Sequence, residues 1–233
     1  IIMVDSKGIL HPGRKDVEAK KDTEYYKWKF CLETNAEGRT GGIPEALKGA
    51  DVCIAMSRPG PGVIKPEWVS QMADDAIVFS CANPIPEIWP WEAKEAGARI
   101  VATGRSDFPN QINNSLGFPG IFRGVLDVRA RTITDDMCIA AANALAEFAE
   151  KHHPGGISEE YIVPRMDEWE VYIHEAVACA LESIREGVAR LKLSRQELWD
   201  RASAIIKAAH ESLEVLMKHG IIKPPPPEEE LLK

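Results

Sequence analysis

Short apolar runs alternate with stretches in which apolar residues recur every three or four positions. IIMVD, DVCIAMS, AIVFSC and RIVAT have strand length, are rich in β-branched residues and end in turn-forming residues. Between them, DTEYYKWKFCLET, IPEALKG, PEWVSQMADD and PEIWPWEAKEAG carry helical spacing, with Pro66 suited to a first turn. Strands that alternate with helical segments at this spacing predict right-handed βαβ units and a parallel sheet, a Rossmann-like doubly wound α/β fold. Beyond the segment through Asn114, which is expected to be a long loop, three amphipathic helices follow: TDDMCIAAANALAEFAEKHH, EWEVYIHEAVACALESIREGVAR and SRQELWDRASAIIKAAHESLEVLMKHG. Thr134 and Ser194 are placed to cap the first and last of these. Trp199, Ile206 and Leu213 share one stripe, expected in a core or a subunit contact. YIV at Tyr161 has the character of a short strand, and the tail IIKPPPPEEELLK that of an extended end.

The pattern divides the chain into residues 1–165, a nucleotide-binding domain, and residues 166–233, a helical segment with an acidic, proline-rich tail. Composition narrows the class. With 233 residues, 45% of them hydrophobic, and a mean hydropathy of −0.21, the chain can bury a sizeable core. A formal charge of −8 without a basic cluster argues against a nucleic-acid surface, and no apolar run reaches membrane-span length. The five cysteines are widely spaced and lack a C-x-x-C pair, which disfavours disulfides and a thiolate zinc site and points to a reducing cytoplasm. The six histidines form no metal-type pairing and are expected to pack or to lie at the surface.

Candidate chemistry gathers after the strands. FSCANPIPE and the loop ATGRSDFPNQINNSLG each follow a buried run, so their polar residues belong in the crevice at the carboxyl ends of the sheet, where open α/β sheets bind ligands. Asn83, Gln111, Asn113 and Asn114 each donate and accept, which suits a substrate bearing carboxylate and hydroxyl groups. Any one of these amides taken alone is equally compatible with a turn residue that bonds only its own backbone. Asp5 ends the run IIMVD as the acid of a second dinucleotide-fold strand does, in position for the adenine ribose. Ser6 and Lys7 follow, and Lys7 is compatible both with neutralising a 2′-phosphate and with a solvated turn. The turn SRPGPG after DVCIAMS cannot continue the ladder and brings its backbone close to whatever sits above the sheet.

ANPIPE and GRSDFPNQINNSLGFPGIFRGVLDVRA resemble the nicotinamide-binding domain of malic enzymes in their short bacterial and archaeal form. The resemblance extends from DSKGILHPGR to the helix ending in EGVAR. It implies NAD or NADP as cofactor, malate and pyruvate as substrate and product, a divalent cation (Mg or Mn), and a homodimer. It also implies that Asn83 and Asn114 contact malate, with Asn113 beside the nicotinamide and Asn83 shared with the cofactor side, and that the turn SRPGPG runs along the dinucleotide, which makes Ser57 and Pro59 cofactor-contact candidates. The family's general base, general acid and metal ligands lie before the position matching residue 1. The resemblance therefore assigns no catalytic or metal residue here, gives Asp107, Asp127 and Lys94 no such role, and implies that the 233 residues alone are inactive. The glycine fingerprint of the first strand is likewise expected upstream. Two other classes stay open at this level: another nicotinamide-dependent dehydrogenase on the same fold, and a non-catalytic binding or assembly module.

Overall fold

A computed structural model describes residues 1–223; the run PPPPEEELLK of the tail lies outside the described residues. The chain forms two compact units, Ile1–Asn113 with Ser158–Tyr161, and Asn114–Ile157 with Ile162 onward. Within the second unit the helix after Asn113 and the one after Thr134 both pack on the helix after Glu170.

The first unit opens with an antiparallel hairpin, β1 (Val4–Asp5) and β2 (Gly8–Ile9), followed by α1 (Lys15–Glu18), α2 (Tyr25–Glu33) and α3 (Ile43–Leu47). IIMVD thus pairs with its own following turn and not with the parallel sheet. Gly8, at φ +117, allows this tight return, and Gly41 carbonyl oxygen accepts from Ile9 N at 2.8 Å on its far side. Trp28 and Phe30 of α2 pack on Leu10, Val17 and Cys31, whereas Tyr25 is exposed.

The sheet comprises β3 (Val52–Ala55), β4 (Ile77–Ser80) and β5 (Ile100–Thr103), with α4 (Pro66–Val69) and α5 (Pro90–Glu95) in the crossovers. All pairing in this sheet is parallel, in the order β3-β4-β5. The register aligns Ala55, Ser80 and Thr103, so the three strands finish level and their following turns leave from one edge. Cys53, Ala55, Val78 and Val101 point into a core with Leu47, Ile64, Val69, Ile88 and Ala93. The other side of the run DVCIAMS is open: Val52, Ile54 and Met56 are 47%, 59% and 79% exposed. Burial pushes the Cys53 thiol up to about 11 and that of Cys179 to about 12, so both act as small core residues without thiolate character at neutral pH.

The second unit contains α6 (Asn114–Val128), α7 (Asp135–His152), α8 (Val171–Arg185) and α9 (Arg195–Lys218). The sequence pattern did not show α6, which holds Gly117, Pro119, Gly120 and Gly124. Its packing explains those residues. A Cβ on Gly124 would stand 2.4 Å from the Ala176 carbonyl oxygen, and one on Gly120 would stand 2.4 Å from Glu175 Cβ, so α6 and α8 approach at a distance only glycine permits. Pro119 cannot donate to the Ser115 carbonyl four residues earlier, and that oxygen accepts from Tyr172 OH on α8 at 3.2 Å. Thr134 and Ser194 cap α7 and α9 through Met137 N and Glu197 N. His152 stacks on Phe148 with centroids 4.2 Å apart, and His174 meets Phe148 and Trp199 edge-on, so these histidines are packing residues. On α9, Trp199 and Ile206 join the core while Leu213 is exposed.

Candidate functional site

Every turn at the carboxyl edge of the sheet is held by a buried or bridging polar group. After β3, Ser57 N and Ser57 Oγ donate to Glu87 Oε1 at 2.7 and 3.1 Å. After β4, Ser80 Oγ and Ala82 N donate to Glu87 Oε2 at 2.9 and 3.0 Å. Glu87 is fully buried, and these donors satisfy its carboxylate where water does not reach. The result presents Ser57, Arg58 and Pro59 outward, all exposed, with Gly60 and Gly62 at φ +124 and +89 and open space where their side chains would be.

The second and third turns meet at Gly104. A Cβ there would fall 2.7 Å from Asn83 Nδ2 and 3.1 Å from the Cys81 carbonyl, so the absent side chain is what lets the Asn83 amide lie against the end of β5. From the other direction Asn113 Nδ2 donates to the Gly104 carbonyl oxygen at 2.7 Å. Two of the amides singled out from sequence therefore converge on one glycine within the first unit. Gln111 forms a parallel bridge with Thr103, which returns the loop to the sheet edge, and buried Asn110 donates to the Val101 and Glu159 carbonyls. Arg105 grips Asp107 with two bonds of 2.8 and 2.6 Å and reaches the Pro84 carbonyl at 2.9 Å, bracing the turn that carries Asn83.

Gly104→Ala is expected to displace the Asn83 amide, since the new methyl would stand 2.7 Å from Asn83 Nδ2 and is itself held by the Cys81 carbonyl oxygen 3.1 Å away. The melting temperature should change little. A crystal structure of the variant checks this, and an Asn83 amide left in place would show that its position does not depend on Gly104.

At the hairpin, Asp5 is enclosed by cations. Arg14 Nη1 and Nη2 bind its two oxygens at 3.1 and 3.0 Å, Lys27 Nζ lies 2.7 Å from Oδ2, and Lys7 N donates to Oδ1 at 2.9 Å. Burial alone would raise its pKa, but Arg14 and Lys27 outweigh this and hold the carboxyl at about 2. Asp5 is thus a permanent anion that orients Arg14 and Lys27, and it meets a ribose hydroxyl only by yielding one of these partners. Ser6 and Lys7 occupy the exposed turn between β1 and β2, with Lys7 Nζ 3.1 Å from Asp16.

In the second unit Asn114 is exposed at the first residue of α6. Asp136, Glu182 and Glu186 place carboxylate oxygens within 4.8 Å of one another. Arg185 pairs with Asp136 and Glu182, and Thr134 Oγ1 donates to Glu186 at 2.5 Å, so these acids serve the joint between α7 and α8. Asp107, Asp127 and Lys94, given no catalytic role above, pair with Arg105, Arg123 and Glu160. Sequence reasoning missed Glu87 and Gly104. Glu87 was visible as the lone acid closing the apolar run FSCANPIPE, but its role depends on a strand register that sequence does not display.

A parallel sheet whose level strand ends carry the Ser57-Arg58-Pro59-Gly60 and Asn83-Pro84 turns has the open α/β architecture that binds ligands at its carboxyl edge. The family model described as malic enzyme, NAD binding domain matches residues 1–183, and the chain belongs to that family. The bifunctional malic/malolactic enzyme of Bacillus subtilis is 41% identical over 201 residues, which cover 86% of this chain and 47% of the relative. The NADP-dependent malic enzyme of Halomonas elongata is 40% identical over 202 residues, covering 82% and 45%. Among solved structures, the Entamoeba histolytica malic enzyme superposes with a TM-score of 0.91 at 52% identity, covering 97% of this chain and 46% of that one. The Pyrococcus horikoshii malic enzyme gives 0.81 at 50%, covering 94% and 49%. The chain spans about half the length of each of these four proteins.

Proposed function

We propose that the full-length protein oxidises malate and decarboxylates it to pyruvate and CO2 while reducing NAD or NADP, this chain supplying the cofactor-binding domain and the amides of the malate site. The observation that carries this reading is the convergence of Asn83 and Asn113 on Gly104 at the sheet's carboxyl edge, in a chain of the malic enzyme family. When bound, the nicotinamide accepts the hydride from the hydroxyl-bearing carbon of malate. Ser57 and Pro59, with the open glycines after them, offer an exposed backbone turn for the dinucleotide, and Asn113 stands beside the nicotinamide. Asn83 and Asn114 grip carboxylate and hydroxyl groups by hydrogen bonds, and being neutral they add no charge that the departing CO2 must overcome. Asn114 at the start of a fifteen-residue helix also places a substrate carboxylate near a favourable dipole end. The general base, general acid and ligands for Mg or Mn are assigned to the part of the family's length that this chain does not span. No helix among the described residues is long and apolar enough to cross a membrane; a cytoplasmic homodimer completes the proposal.

Asn114→Ala in the full-length protein tests this reading. The malate KM is expected to rise about ten-fold or more, the cost of losing a hydrogen bond to a charged group, while cofactor KM stays within about two-fold. Unaltered malate kinetics would remove Asn114 from the site. Cofactor choice has its own test at the hairpin. With Asp5 occupied by Arg14 and Lys27, exposed Lys7 meets a 2′-phosphate by exchanging its pairing with Asp16 for the phosphate. Lys7→Ala is expected to weaken NADP about five- to ten-fold relative to NAD; equal losses in a titration of both cofactors would make Lys7 a solvated turn residue.

A further inference from the structure

We propose that Glu87 is a positioning residue that ties the cofactor turn to the substrate turn, so that the two bind as one body. The inference rests on the malate reading above and goes beyond it. Glu87 lies at the end of the segment that begins after β4, yet its Oε1 holds the backbone N–H and hydroxyl of Ser57 after β3, and its Oε2 holds Ala82 N, the residue before Asn83. The same two turns touch again where Gly60 N donates to the Ile85 carbonyl at 3.2 Å, and Ile64 N donates to the carbonyl of Glu87 itself at 3.2 Å. Arg105 closes the third side through Pro84. Ser57 and Asn83 are exposed, whereas the carboxylate joining them is fully buried. Glu87 therefore reaches neither malate nor cofactor and acts only through the backbone it fixes.

A carboxylate is an acceptor at both oxygens, and this geometry needs that. In Glu87→Gln the amide nitrogen faces a backbone N–H in either orientation, that of Ser57 or that of Ala82. The hydroxyls of Ser57 and Ser80 can rotate to accept, but neither backbone donor can, so the common anchor is broken. Ser80→Ala is the control: it removes another buried donor to the same carboxylate, at 2.9 Å, together with the acceptor of Ile88 N at 3.2 Å, and leaves both backbone anchors of Glu87 in place.

The experiment is steady-state kinetics and thermal melting of the full-length protein, wild type against both variants, with malate and with NAD and NADP. Wild-type malate-dependent reduction is measured first; its absence sinks the functional reading and takes this inference with it. Given an active wild type, Glu87→Gln is expected to raise the malate KM and the cofactor KM together, each by about ten-fold or more, while Ser80→Ala lowers the melting temperature and moves either constant by less than about two-fold. Constants that stay put in Glu87→Gln, a change in only one of them, or an equal change in Ser80→Ala would each overturn the proposal without touching the malate reading. If Glu87→Gln does not fold, Glu87→Asp keeps the charge but is one methylene too short to span both turns, and the same paired rise is expected. Failure of both to fold would make Glu87 purely a folding residue.

Discussion

Glu175→Gln is expected to flatten the pH dependence of stability and to leave the protein more stable than wild type at pH 8. Glu175 lies on α8, fully buried, and neither carboxyl oxygen has a hydrogen-bond partner. Burial pushes its pKa up to about 9, so the folded chain keeps the proton at neutral pH. The unfolded chain releases it near pH 4.3. The native state thus binds more protons than the unfolded state between those two values, and stability falls as pH rises through that window. At pH 7 the accumulated loss is about 4 kcal/mol. An amide of the same shape does not titrate, so this loss disappears in the variant. Thermal melts at pH 5 and pH 8 check it: the wild type should lose about 5–10 °C more than the variant over that interval, and parallel curves would show that Glu175 is solvated or paired.

Gly124→Ala and Gly117→Ala are expected to differ in sign although both glycines sit in α6. Alanine gains about 1 kcal/mol over glycine in a helix interior. At Gly117 the added methyl meets only Ile121 Cδ1 at 3.8 Å and Glu175 Oε1 at 4.0 Å, ordinary contacts, so that gain is realised. At Gly124 it would stand 2.4 Å from the Ala176 carbonyl and 3.1 Å from Ala180 N, both backbone atoms that cannot rotate away. Separating the two helices costs about 1–3 kcal/mol net. Denaturant unfolding of both variants tests the pair, and equal stabilisation would mean that α6 and α8 are not in close contact.

These glycines also show why part of the fold was hidden. The strand runs AIVFSC and RIVAT were legible because a buried parallel strand needs only a short apolar, β-branched segment, and α7 to α9 because amphipathic spacing and caps mark them. SLGFPGIFRGVLDV reads as a loop by propensity, and becomes α6 only because its glycines admit α8 and Tyr172 serves the carbonyl that Pro119 leaves. IIMVD reads as a sheet strand, yet Asp5 is drawn into a hairpin by Arg14 and Lys27, which lie nine residues or more away in sequence. The amides were visible as residue types, but their joint meaning came from resemblance to a family. That Asn83 and Asn113 meet on Gly104 is a consequence of β4 and β5 ending level, which no local pattern encodes.

The most direct test of the whole account is a parallel measurement of NAD(P) reduction and CO2 release from malate by the full-length protein and by these 233 residues alone. The account predicts that the full-length protein forms reduced cofactor, pyruvate and CO2 in equal amounts, and that the chain alone turns over no malate, lacking an assigned base, acid and cation ligands. Reduction by the chain alone at a rate near that of the full-length protein, or a full-length protein that binds NAD(P) but leaves malate untouched, would contradict it.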